Sequence, residues 1–133
     1  MEKKILIVDD EKMICEMLEE AFSSKGYIAH SAESAETALD FLQQEEIQVI
    51  FIDLKLPEMD GVQLCKKVKQ DKPASIIYAF TGYTSLFQFQ ECRDAGFDYY
   101  FTKPLRLNVL LKAAQNAFQR IERLKERRRQ IGF

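Results

Sequence analysis

The sequence predicts an α/β domain built on a parallel sheet with helices on both faces. Strand-like and helix-like segments alternate five times along the chain. Several of the strand-like segments are nearly continuous apolar runs, as expected where a strand is covered on both sides. Each is followed by a helical crossover, the connection that parallel neighbours require.

Ile5–Val8 is the first apolar run. Ile14, Met17, Leu18, Ala21 and Phe22 follow at helical spacing, and Lys25-Gly26 makes a C-terminal stop. Tyr27–Ala32 is a weaker, more polar strand, suited to a sheet edge. Ser34 can cap a helix carrying Ala35, Ala38, Leu39 and Leu42. Gln48–Asp53 is the third strand, and Leu56–Gly61 is a loop rich in turn residues. Val62, Leu64, Cys65 and Val68 give a third helix, broken at Asp71-Lys72-Pro73. Ser75–Thr81 is a fourth strand and Gly82–Ser85 a loop. A fourth helix carries Leu86, Phe89, Cys92 and Ala95 and stops at Gly96. Asp98–Thr102 is the fifth strand, ended by Lys103-Pro104, and a long last helix starts near Arg106.

A chain of 133 residues holds one domain with a real core. A net charge of −2 gives no global pull toward nucleic acid or an acidic substrate. No stretch approaches the roughly 20 apolar residues of a membrane span. The first apolar run is too short for a signal peptide's core. Cys15, Cys65 and Cys92 lack metal-ligand spacing. They read as small buried hydrophobes, reduced thiols of a cytoplasmic protein. His30 reads as an ordinary strand residue.

Ligands on parallel sheets bind at the carboxyl ends of the strands. Asp9, Asp10, Asp53, Thr81 and Lys103 all fall at such ends. Crowded carboxylates repel one another unless a cation or protons neutralise them. Mg²⁺ suits an all-oxygen set of this kind, and zinc does not, since no His or Cys is placed to help. A metal, an ammonium and a hydroxyl around one Asp suit phosphoryl transfer, with the Asp as nucleophile.

These residues carry a resemblance. Asp9-Asp10-Glu11, Asp53 with Leu56-Pro57 and Asp60-Gly61, Thr81-Gly82, and Tyr100 with Lys103-Pro104 stand in order at the expected strand ends. Over roughly residues 3 to 120 the chain resembles a receiver domain of a bacterial two-component response regulator. The resemblance implies a flavodoxin-like (βα)5 three-layer sandwich with strand order 2-1-3-4-5. It implies that Asp53 accepts a phosphoryl group from a sensor histidine kinase or a phosphotransfer protein. Asp10, Asp53 and the Lys55 carbonyl would ligate Mg²⁺ directly, with Asp9 acting through a metal-bound water. Lys103 would pair with the phosphoryl oxygens. Thr81 would bond to the phosphoryl group, and Tyr100 would turn inward behind it. The surface of the fourth helix, fifth strand and fifth helix would switch. The Lys103–Pro104 bond would be cis, at the low cost proline allows. Such a protein catalyses only its own phosphorylation and dephosphorylation. Lys55 and Tyr83 would flank the pocket and shield the acyl phosphate from water.

The last helix departs from a minimal domain. Leu107, Leu110, Ala114, Ala117, Ile121, Leu124, Arg128 and Ile131 are spaced by alternating threes and fours, the seam of a coiled coil. From Arg106 to Ile131 such a helix would run roughly 39 Å, against a radius of gyration of roughly 14 Å for a domain of this size. The expected division is a receiver over 1–120 and a basic helical extension over 121–133. The extension reads as a signalling helix that dimerises or leads to an output domain. A nucleic-acid arm is the less favoured reading of Arg127-Arg128-Arg129.

Two other functions compete. An Asp-nucleophile phosphatase typically wants an acid two residues after the nucleophile, where this chain has Lys55. A flavodoxin-like cofactor binder wants a phosphate-cradling loop after the first strand, where this chain has Asp9-Asp10-Glu11.

Overall fold

The computed structural model describes residues 2–82 and 86–132, with the backbone alone for 86–88. Five strands and five helices alternate: β1 (Lys4–Val8), α1 (Lys12–Ser23), β2 (Ile28–Ala32), α2 (Ala35–Gln44), β3 (Val49–Asp53), α3 (Gly61–Asp71), β4 (Ile76–Thr81), α4 (Leu86–Ala95), β5 (Tyr99–Thr102) and α5 (Leu107–Gln130). The sheet order is β2-β1-β3-β4-β5 and every pairing is parallel. Each predicted element is present, with ends shifted by a residue or so. The polar second strand does lie at an edge.

Alternation along the strands sorts the core into two layers, because successive side chains point to opposite faces. Leu6, Val8, Ile50, Ile52, Ile77 and Ala79 face α2, α3 and α4, meeting Ala38, Leu42, Leu64, Val68 and Ala95 among others. Ile5, Ile7, Val49, Phe51, Ile76 and Phe80 face α1 and α5, meeting Leu18, Phe22, Leu110, Ala114 and Phe118. Phe51 is the hub of the second layer. It stacks on Phe22 and Phe80, with centroids 5.3 Å and 5.6 Å away, and is fully buried.

Local chemistry sets the helix ends that matter to the site. Ser34 caps α2 by accepting the Thr37 backbone N–H at 3.1 Å. Asp60 caps α3 in a reciprocal capping box with Gln63. Asp60 thus ends the turn-rich loop as the cap of the helix that follows. Gly61 then brings the start of α3 hard against the end of β3. A Cβ there would lie 2.4 Å from the Asp53 carbonyl oxygen and 2.8 Å from the Leu54 Cα. No side chain but glycine's fits that approach.

The three cysteines are buried and free. Burial pushes the Cys15 thiol up to about 11 and the Cys65 thiol up to about 12, so both are poor nucleophiles at neutral pH. His30 is an ordinary strand residue, its ring 4.9 Å from that of Phe41.

The seam expected along α5 divides in two. Leu110, Ala114 and Ala117 are buried against the sheet and Ile121 is half-buried. From residue 122 to 130 every position of α5 is exposed, including Leu124, and Ile131 follows exposed. The heptad spacing therefore serves internal packing first.

Candidate functional site

Register brings the acids together. Val8 pairs with Ile52, so the next residues along, Asp9 and Asp53, leave the sheet as neighbours. This point lies between β1 and β3, where the strand order reverses and parallel sheets open a crevice. Ligand oxygens of Asp9, Asp10 and Asp53 all lie within 4.8 Å of one another. Asp9 and Asp53 are buried, and Asp10 is exposed at the mouth.

Backbone amides fix one oxygen of each buried acid. Asp9 Oδ1 accepts the Glu11 N–H at 2.9 Å, and Asp53 Oδ1 accepts the Lys55 N–H at 3.0 Å. Their second oxygens face Lys103. Its Nζ lies 3.1 Å from Asp53 Oδ2 and 3.6 Å from Asp9 Oδ2. The lysine is placed by its own backbone N–H, which donates to the Thr81 carbonyl at 2.8 Å, and a cis peptide joins it to Pro104. A third acid, Glu11, comes within 3.5 Å of the same ammonium. Sequence reasoning gave Glu11 no role, although its place directly after the acid pair was the available signal.

Charge in this pocket is unbalanced. Burial pushes the Asp9 carboxyl up to about 6, opposed by the Glu11 N–H and reinforced by the nearby Asp53 charge. Burial tends to lower the Lys103 ammonium, but Asp53, Asp9 and Glu11 together raise it above the usual lysine value. Among the described residues Asp9 Oδ2 is buried with no hydrogen-bond partner, the Lys103 ammonium standing 3.6 Å away. An orphaned carboxylate oxygen beside two more carboxylates fits a hard divalent cation. Asp9, Asp10 and Asp53 are the residues that would hold it.

Thr81 is buried at the end of β4, beside β5 through its pairing with Thr102. Tyr100 is half-buried on β5. Its ring stands edge-on to Phe89 at 5.1 Å and stacks on Tyr99 at 5.6 Å. Asp9, Asp10, Asp53 and Lys103 thus form one constellation, with Thr81 at its wall and Tyr100 one strand away. Lys55 reaches the site through its backbone, and its side chain is exposed. Tyr83 lies outside the described residues.

Comparison with known proteins agrees with this geometry. The family model for the response regulator receiver domain matches residues 5–115. Sporulation initiation phosphotransferase F of Bacillus subtilis (strain 168) is 32% identical over 115 residues, which cover 86% of this chain and 93% of that protein. The alkaline phosphatase synthesis transcriptional regulatory protein PhoP of the same organism is 34% identical over 116 residues, 85% of this chain and 48% of its own length. Among solved structures, a CheY-like response regulator receiver domain protein from Methanospirillum hungatei JF-1 superposes with a TM-score of 0.88 at 30% identity, covering 92% of this chain and 98% of that one. Among the described residues no helix is long and apolar enough to cross a membrane. On fold and sequence alike, the chain belongs to the family of response regulator receiver domains.

Proposed function

We propose that the domain is a phosphoacceptor switch, in which Asp53 takes a phosphoryl group from a phosphohistidine of a sensor histidine kinase or phosphotransfer protein. The observation that carries this reading is the Lys103 ammonium, 3.1 Å from Asp53 Oδ2, beside the orphaned Asp9 oxygen. An Asp53 carboxylate oxygen attacks phosphorus. The P–N bond breaks, and the imidazole nitrogen leaves with the electron pair. Lys103 follows the charge that builds on the phosphoryl oxygens. Asp10, Asp53 and the Lys55 carbonyl would hold Mg²⁺, with Asp9 acting through a metal-bound water, and the cation would neutralise the phosphoryl charge. The same carboxylates keep the site from attracting a phosphoryl donor until that cation is present.

Thr81 then donates its hydroxyl to the new phosphoryl group. Thr81 moves inward and Tyr100 turns toward the space vacated. That changes the exposed face of α4, β5 and α5, where Tyr99 and Phe89 already lie partly in solvent. Self-phosphorylation and self-dephosphorylation are the only reactions. The exposed Lys55 side chain limits the approach of water to the acyl phosphate. Three unpaired cysteines suit work in the cytoplasm. We further take residues 1–120 as the receiver unit and 121–133 as an extension that pairs with a second copy or leads to an output domain.

Incubation with Mg²⁺ and acetyl phosphate tests the central step. Intact mass should rise by one phosphoryl group, and Asp53→Asn should show no gain. Steady turnover of a phosphate ester, with no stable adduct, would point to a phosphatase instead.

A further inference from the structure

The Lys103 ammonium is shared by three carboxylates, and one of them lies outside the acidic cluster. Glu11 Oε1 stands 3.5 Å from Lys103 Nζ, with the Glu11 side chain 61% exposed. Glu11 holds the N-cap position of α1, yet its side chain makes no capping hydrogen bond. Caps usually spend a short polar side chain on the first turn of the helix. Here the longer side chain reaches across the mouth of the pocket instead. Asp9 fixes its starting point, since Asp9 Oδ1 accepts the Glu11 backbone N–H.

We propose that Glu11 is a positioning and specificity residue of this site, holding the Lys103 ammonium at the rim and discriminating there against small dianionic phosphoryl donors. The inference rests on the phosphoacceptor reading above. With Glu11, the pocket gathers four carboxylates and one ammonium, three of the carboxylates paired with it. A divalent cation leaves one net negative charge, and Glu11 supplies the outermost share of it. A small free donor meets only the mouth, so it feels that charge in full. A phosphohistidine carried on a docked protein is held by the rest of its interface and feels it less. Neutralising Glu11 also leaves the ammonium to Asp53, Asp9 and the incoming phosphoryl oxygens.

The test uses the full chain with Mg²⁺ and two donors that differ in charge at neutral pH, dianionic acetyl phosphate and monoanionic phosphoramidate. Initial phosphorylation rates are measured for wild type, Glu11→Gln and Glu11→Asp. Glu11→Gln should react with acetyl phosphate about threefold faster at low salt, the scale of one partly exposed charge. The gain with phosphoramidate should be clearly smaller. Both gains should fade in about 0.5 M salt, where rim charges are screened. Glu11→Asp keeps the charge and should keep the wild-type preference between donors. Equal acceleration of both donors, a gain that ignores salt, or no gain at all would overturn the role of Glu11. A wild-type chain that takes no phosphoryl group from either donor would instead overturn the phosphoacceptor reading on which it rests.

Discussion

Asp9 is a fully buried carboxyl with one oxygen bonded to the Glu11 amide and the other, among the described residues, without a hydrogen bond and only 3.6 Å from the Lys103 ammonium. Its value of about 6 lies above the ordinary 3.8, so the folded protein holds that proton more tightly than the unfolded chain does. Between roughly pH 4 and 6 the metal-free fold should therefore lose stability as pH rises. Above that window the full deficit of about 3 kcal/mol is present. Denaturant titrations in a chelator from about pH 4.5 to about 7.5 should show the decline. Asp9→Asn should flatten it and be more stable than wild type at pH 7 by about 1–2 kcal/mol. Added Mg²⁺ should stabilise the wild type and leave Asp9→Asn much less affected. A flat wild-type profile would mean that Asp9 is not the strained group. Asp9 could be read from the sequence as one acid of a pocket. Its burial and its orphaned oxygen could not, because both depend on which residues close over it.

At the scale of elements, the loop from β3 to α3 is the tightest joint. Gly61 is pressed against the Asp53 carbonyl and Leu54 Cα, both backbone atoms that cannot swing aside. Gly61→Ala should cost roughly 2–3 kcal/mol, as overpacking does, and weaken Mg²⁺ binding by displacing Asp53. Urea unfolding and a metal titration on the same variant would check both, and an unchanged pair would show that the loop yields. By contrast, Ser34→Ala, far from the pocket, should cost about 1 kcal/mol and leave metal binding alone. The Asp60-Gly61 pair was legible as a turn and cap. The close approach was not, since it arises only when α3 packs back on the sheet through Leu64, Cys65 and Val68.

For the whole molecule, α5 does two jobs along one face. Its first half completes the core through Leu110, Ala114, Ala117 and Phe118. Its second half runs on with every position exposed, Glu122 lying 3.6 Å from Lys3, and Lys125 and Arg128 lining a surface pocket beside Glu2, Glu46 and Lys72. Only Leu124 and Ile131 of the seam remain as exposed apolar contacts there, with Arg128 between them. A parallel pair would also bring Arg127, Arg128 and Arg129 of two copies together. Self-association should therefore be weak and should strengthen as salt screens the arginines. Sedimentation of the full chain against a chain ended at Ile121 would show this, the shorter one staying monomeric. Association that weakens with salt would instead mark ion pairing between the basic end and an acidic surface.

The sequence by itself determined the alternation of elements, the polar edge strand β2, and the placing of Asp9, Asp10, Asp53, Thr81 and Lys103 at strand ends. Period-two and helical patterns, together with turn residues, carry that information locally. What only the tertiary structure decided is how those ends meet. Register set Asp9 beside Asp53, the β4–β5 pairing delivered Lys103 to both, and the turn after β1 sent Glu11 across to it. The seam of α5 shows the same division. A heptad spacing specifies an apolar stripe but not what covers it. The sheet covers the first half, because burying apolar surface inside one chain costs no loss of translational freedom, while every position of the second half stays exposed.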